Sequence, residues 1–171
     1  MCEPVEDIQE FRPVILGMVH YLYKHKLEGL SANECGYDKQ VIVTNVPGDF
    51  IRILINPQML ILDYDMELVE EQCASYTHPI KRHRHAHVLV DALNLKGERV
   101  VMDTSAKTYG VTGPKIAARL QHEMEHMLGL DVTSDPDLSV EQTSLADLLE
   151  PFEFRDQPAA LLDDYIVEKF L

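Results

Sequence analysis

The 171-residue sequence has no tryptophan, and aromatic residues make up only 7% of it. Its core must be built from aliphatic side chains and from its seven methionines. Basic residues are also scarce: 15 Lys and Arg stand against 29 Asp and Glu, a net charge of −14. That balance excludes a whole-molecule attraction to nucleic acid or to an anionic membrane. No apolar run approaches the ~20 residues that a bilayer span needs. The opening Met1-Cys2-Glu3-Pro4-Val5-Glu6-Asp7 has neither the basic start nor the apolar block of a secretion signal. Cysteines are few, odd in number and far apart (Cys2, Cys35, Cys73), which excludes a disulfide frame. The expected home is a reducing one, the cytoplasm or an organellar matrix after processing, where a thiol is free to bind metal. A monomer with no membrane partner and no specific nucleic acid is expected.

What is present is one ordinary domain. Apolar residues reach 46%, enough for a single core at this length. Charge is uneven: from Asp131 to Leu171, 11 acids face only Arg155 and Lys169, a net of −9. Val5, Ile8, Phe11, Ile15, Met18, Val19 and Leu22 recur at helical spacing, which predicts a helix within 5–27 interrupted at Pro13. Residues 29–36 read as a loop. Val41–Val43 reads as a buried strand, Ile51–Pro57 as another ended by Asn-Pro, and Met59–Val69 as a third. His83–Leu95 reads as one strand turning at Lys96-Gly97 into Arg99–Met102. Pro114–Leu128 is the clearest helix, with proline in its first turn and Gly129 just past its end. Two acidic helices are expected at Val140–Glu150 and Pro158–Phe170. Strands followed by a central helix give an α+β single domain, with short antiparallel or mixed strands around a central metal-binding helix.

That helix carries His122-Glu123-Met124-Glu125-His126. Two histidines four residues apart share one helical face and can reach one metal, and Glu123 between them can serve as general base. A catalytic centre needs a third protein ligand. The metalloprotease spacing that uses a third histidine would need one at position 132, which is Val132. Glu141, Glu150 or Glu153 could act as a distant acidic ligand, and Cys73 is the upstream option.

Three segments together resemble the peptide deformylase family. Gly29-Leu30-Ser31-Ala32-Asn33-Glu34 stands where that family has Gly-Leu-Ala-Ala-x-Gln. Glu71-Gln72-Cys73-Ala74-Ser75 stands for Glu-Gly-Cys-Leu-Ser, and Gln121–His126 for Gln-His-Glu-x-Asp-His. Ile55-Asn56-Pro57 also falls where family members carry Ile-Asn-Pro. The resemblance covers roughly residues 5–130. It implies a metal hydrolase domain over 1–130, with 131–171 an acidic helical extension packed on it. The implied metal ligands are Cys73, His122 and His126. The implied ion is divalent, Fe²⁺ in the cell, with Zn²⁺, Ni²⁺ or Co²⁺ also suited to the site. The implied reaction removes the N-formyl group from nascent N-formylmethionyl peptides and releases formate. Glu123 would move the proton, and the Ala74 N–H would donate to the developing oxyanion.

The departures concern the rest of the site. Glu34 replaces the glutamine that donates to the oxyanion, and an ionised carboxylate cannot donate. One lost donor of this kind costs about 10²–10³ in rate. Burial would raise its pKa and a metal would lower it. Beside Gly29, the pocket for the methionine side chain is matched by Glu28, Lys115 and Arg119, charged where the family is apolar or small, and pairing of Glu28 with Arg119 is one resolution. Gln72 replaces a glycine, Glu125 replaces an aspartate, and residues 103–113 read as an insertion. The alternatives are a relative that keeps the metal with lost or altered activity, or an unrelated metalloprotease. Lys81–His87 reads as a solvated basic strand face with His83, His85 and His87 on one side. A ribosome contact or a second metal site are the functional readings of that run.

Overall fold

The structure is a computed structural model that describes residues 1–130, 145, 149–153 and 155. Helix α1 spans Ile8–Lys24. Strands β1 (Gly29–Ser31), β2 (Val41–Thr44), β3 (Arg52–Ile61), β4 (Met66–Glu71), β5 (Ile80–His85), β6 (Val88–Leu93) and β7 (Arg99–Asp103) follow. A short helix α2 (Ala106–Tyr109) then leads into α3 (Gly113–Leu128). The mixed α+β class matches the expectation. Five strands form an antiparallel sheet in the order β1-β2-β3-β6-β7, and β4 and β5 form a separate hairpin.

The two helices cover opposite faces of the five-stranded sheet, which explains its strand composition. In β2, Val41 and Val43 pack under α1 with Ile15, Val19 and Leu22. Ile42, between them, packs under α3 with Ile116, Leu120 and Met124. A strand buried on both faces reads as a continuous apolar run rather than an alternation. Met18, Met59, Met102, Met124 and Met127 are buried, as a core without tryptophan requires.

Several expected boundaries move, each for a physical reason. Helix α1 is not interrupted at Pro13. Pro13 and Gln9, whose carbonyl loses its donor there, are both exposed, so water replaces the missing bond. The helix starts at Ile8 rather than Val5, because the Asp7 carboxylate caps the Gln9 and Glu10 N–H groups at 2.9 and 3.0 Å. Strand β3 is not ended by Asn56-Pro57: the ladder shifts register there and continues. Asn56 adopts φ +49°, and its side chain exchanges hydrogen bonds with the Val5 backbone at 2.7 and 2.9 Å. Residues 59–61 therefore belong to β3, and only Met66–Glu71 forms the next strand. The single strand expected over His83–Leu95 is two, β5 and β6, broken at Ala86-His87. Residues 29–36 form a short strand and a 3₁₀ turn rather than an open loop. The helices expected at Val140–Glu150 and Pro158–Phe170 lie outside the described residues, apart from Leu145, Leu149 and Glu150. Among the described residues, no helix is long and apolar enough to cross a membrane.

Candidate metal centre and adjoining pocket

Helix α3 is built from local signals. Pro114 opens it, Gly129 closes it at φ +78°, and Ile116, Ala117, Leu120, Met124 and Met127 anchor it in the core. His122 and Glu123 are buried and His126 is half-buried. Gln121 ties the helix to the hairpin: its amide accepts from the His85 N–H at 3.0 Å and donates to the His85 carbonyl at 2.7 Å. Asn33, in the 3₁₀ turn, donates to the His126 carbonyl at 2.6 Å and so ties β1 to the far end of α3.

Cys73 lies in the turn after β4, with Sγ 3.3 Å from His126 Nε2. The Nε2 atoms of His122 and His126 are 3.1 Å apart. A tetrahedral ion with metal–nitrogen bonds of about 2.05 Å and a metal–sulfur bond of about 2.3 Å places neighbouring ligand atoms about 3.3–3.6 Å apart. The three side chains therefore fit one divalent ion. Two observations strengthen that fit. His122 Nδ1 donates to Glu71 Oε2 at 2.8 Å, which leaves Nε2 with its lone pair toward Cys73 and His126. Glu123 Oε2 is buried without a hydrogen-bond partner among the described residues. Burial pushes the His126 pKa down despite the Glu34 charge, which favours the neutral imidazole that a ligand needs.

Sequence reasoning missed the polar frame behind these ligands. Glu71 is gripped by Arg84 through Nε at 2.6 Å and Nη2 at 2.9 Å. Arg84 also reaches Glu125 from Nη1 at 2.6 Å. Arg82 adds a longer contact to Glu125 at 3.4 Å. Burial alone would raise the Glu71 carboxyl, but the hydrogen bonds and charges of Arg84 and His122 bring it down to about 2. Glu125, where the resemblance expects an aspartate, has its carboxylate held by Arg84. Part of the basic run is thus not a solvated face: Arg84 is buried, and His87 lies beyond the strand and pairs with Asp103 at 2.7 Å. Strand alternation could have found Arg82 and Arg84 as one inward face. Among the described residues, the His/Cys/Asp/Glu groups close enough to hold a metal are Cys73–His122–His126 and Glu34–Glu123–His126; none combines His83, His85 and His87.

Glu34 is held as an acceptor. Its Oε2 takes the Ser31 N–H at 3.0 Å and the Ser31 hydroxyl at 3.1 Å. Its Oε1 takes the Ser75 hydroxyl at 2.9 Å and lies 3.3 Å from His126 Nε2. Burial raises its pKa, but His126 and the serine hydrogen bonds outweigh this and hold it below the usual carboxylate range. The neighbouring Glu123 goes the other way: burial pushes it well up, the Glu34 charge adds, and Arg119 only partly opposes them. Ala74 is exposed in the turn beside Cys73, and Gln72 is exposed just before it.

Arg119 lies one turn before Glu123. Its Nη1 is 3.3 Å from Glu123 Oε1 and its Nη2 is 3.5 Å from Glu28 Oε2. The expected pairing of Glu28 with Arg119 is present, though long. Gly29 sits against both: a Cβ there would fall 2.2 Å from Glu123 Oε1 and 2.4 Å from Arg119 Cδ. A cavity of about 220 Å³ opens beside α3, lined in part by Glu28, Val46, Glu70, Lys115 and Arg119.

A thiol and two imidazoles around one point, with a buried carboxyl on the same His-Glu-x-x-His helix, belong to the chemistry of metal-dependent hydrolases. The family profile described as polypeptide deformylase matches residues 1–136, and the chain belongs to that family. Its members are metallohydrolases with a catalytic metal. The peptide deformylase of Brachyspira hyodysenteriae is 32% identical over 139 residues, which is 75% of this chain and 69% of the relative. That of Natranaerobius thermophilus is 30% identical over 124 residues, 68% of this chain and 70% of the relative. Among solved structures, the Thermotoga maritima peptide deformylase matches with a TM-score of 0.62 at 26% identity, over 75% of this chain and 83% of that one. A peptide deformylase from Synechococcus elongatus, solved in complex with actinonin, matches with a TM-score of 0.61 at 29% identity, over 74% of this chain and 65% of that one.

Proposed function

We propose that this chain hydrolyses the N-formyl group of formylated peptides, with Cys73, His122 and His126 holding Fe²⁺. The observation that carries the reading is the triangle of Cys73 Sγ, His122 Nε2 and His126 Nε2 beside the buried Glu123 carboxyl. A bound divalent ion supplies Lewis-acid activation of water. A thiolate with two imidazoles suits Fe²⁺, and also Zn²⁺, Ni²⁺ or Co²⁺.

The chain's own groups do the rest. Water adds to the formyl carbon as Glu123 takes its proton. The carbon–nitrogen bond then breaks, Glu123 returns the proton to the leaving amine, and formate and a free N-terminus result. The Ala74 N–H donates to the developing oxyanion. Glu34 keeps its acceptor role toward Ser31 and Ser75 and supplies no second donor, so turnover is slow for the fold. Nascent formylated chains are the partner this reaction needs, and the reducing cytoplasm suits a thiolate ligand.

The test is formate release from formyl-Met-Ala-Ser by anaerobically prepared, Fe²⁺-loaded full chain. Release that disappears in Glu123→Gln supports the reading. No release from stoichiometrically loaded protein with any formyl peptide would leave the second reading, a metal-binding relative without turnover, which the Glu34 acceptor geometry favours.

A further inference from the structure

Two departures from the family pattern, Glu34 and Arg119, meet at one carboxyl. An oxygen of Glu123, an oxygen of Glu34 and a ring nitrogen of His126 all lie within 4.8 Å of one another. Arg119 Nη1 donates to Glu123 Oε1 at 3.3 Å, and the two side chains are 5% and 1% exposed. Glu34 cannot swing away, because the Ser31 N–H, the Ser31 hydroxyl and the Ser75 hydroxyl all donate to it. A fixed negative charge repels the Glu123 carboxylate, and the guanidinium attracts it. Gly29 leaves the space in which Arg119 and Glu123 meet: a Cβ there would fall 2.4 Å from Arg119 Cδ and 2.2 Å from Glu123 Oε1. Glu28, half-exposed at the rim, takes the other end of the guanidinium at 3.5 Å. Helix stability does not account for the pair. Arginine four residues ahead of glutamate is the weaker order on a helix. A buried guanidinium with only long contacts is also less favourable than an apolar side chain of its length.

We infer that Arg119 is a positioning residue: as the counter-charge to Glu34 it holds Glu123 Oε1 against Gly29, so that the other oxygen is kept for proton transfer. That other oxygen, Oε2, is the buried one without a hydrogen-bond partner among the described residues. The two departures then act as a pair. Glu34 brings a fixed negative charge to the site, and Arg119 answers it at the one carboxyl that has to stay in place. The inference rests on the proposed hydrolysis for what Glu123 does, but where Arg119 holds Glu123 is read without turnover.

Arg119→Met keeps the side-chain length and removes the charge. In Fe²⁺-loaded full chain it should lower kcat for formyl-Met-Ala-Ser about 10²-fold, the effect of a base about 1 Å out of place, with KM within about twofold and metal content unchanged. Arg119→Lys should recover about tenfold of that loss, because the charge returns without the planar fork. In a Glu34→Gln background the Arg119→Met change should lower kcat by less than about tenfold, because the charge it answers is gone. Arg119→Gln, neutral and shorter, should behave as Arg119→Met and replaces it if that variant does not fold. Crystal structures of the metal-loaded full chain and its variants give the second readout. Glu123 Oε1 should leave the Gly29 side in Arg119→Met and keep its place in the double variant. Glu123 unmoved in Arg119→Met overturns the inference, whether or not formate is released. An unchanged kcat in Arg119→Met overturns it too, as does an equal loss in the two backgrounds. No formate from the unaltered chain removes the proposed hydrolysis, and the position of Glu123 alone then decides whether Arg119 holds it.

Discussion

The two sides of α3 are held in opposite ways. Toward the β4–β5 hairpin, the buried charges have short partners: Arg84 spans Glu71 and Glu125, and Glu71 holds His122. Toward β1 and the cavity, contacts are long and atoms are left over: Arg119 reaches Glu28 at 3.5 Å and Glu123 at 3.3 Å, and Arg119 Nε and Glu123 Oε2 lack partners among the described residues. A fully paired polar frame fixes the ligands in one geometry, whereas an incompletely paired one waits for something to complete it. On the proposed function, the hairpin side would be the scaffold of the metal centre, and the β1 side the one that meets a substrate.

The comparison can be broken most severely at Gly29. A methyl group there collides with Glu123 Oε1 at 2.2 Å, so Gly29→Ala should lower kcat by about 10³-fold while metal content stays full. Stopped-assay kinetics with metal analysis check this, and unchanged kcat would show that Glu123 has room to move. On the scaffold side, Arg84→Met takes the main cationic partner from two buried carboxylates and should destabilise the metal-free protein by roughly 3–5 kcal/mol, read as a fall in urea midpoint. A shift under about 1 kcal/mol would mean the frame relaxes freely.

Much of this was legible in the sequence because the signals were local. Pro114, Gly129 and the apolar stripe mark α3 to within a residue, and the spacing of His122 and His126 places them on one face whatever surrounds them. What stayed hidden depends on distant partners. Asn56-Pro57 looks like a strand end, yet Asn56 is held by Val5, 51 residues away in sequence, and the strand continues. Arg84 looks like one more solvated cation until the hairpin folds it inward against Glu125, 41 residues on. The pocket charges were visible, but their commitments were not: only the fold shows Glu71 engaged by Arg84 and His122, and Arg119 lying between Glu28 and Glu123.

Smaller effects sharpen the contrast. Glu34→Gln restores a possible oxyanion donor and should raise kcat/KM by about 10². A decrease would mean that the acceptor bonds from Ser31 and Ser75 matter more than the missing donor. Glu71 titrates at about 2 in the folded chain against an ordinary 4.5, so its contribution is complete above about pH 4.5 and is lost as pH falls toward 2. Urea midpoints of the metal-free chain should therefore fall across that window, and the fall should be shallower in Glu71→Gln. An identical slope in the variant would show that Arg84 does not hold Glu71 ionised.

The central claim is that Cys73 and the two histidines of α3 bind one ion together. X-ray absorption on the metal-loaded full chain tests it directly. One sulfur at about 2.3 Å with nitrogen or oxygen ligands near 2.1 Å, and loss of that sulfur in Cys73→Ser, is the predicted result. A shell of nitrogen and oxygen alone in the unaltered protein would contradict it.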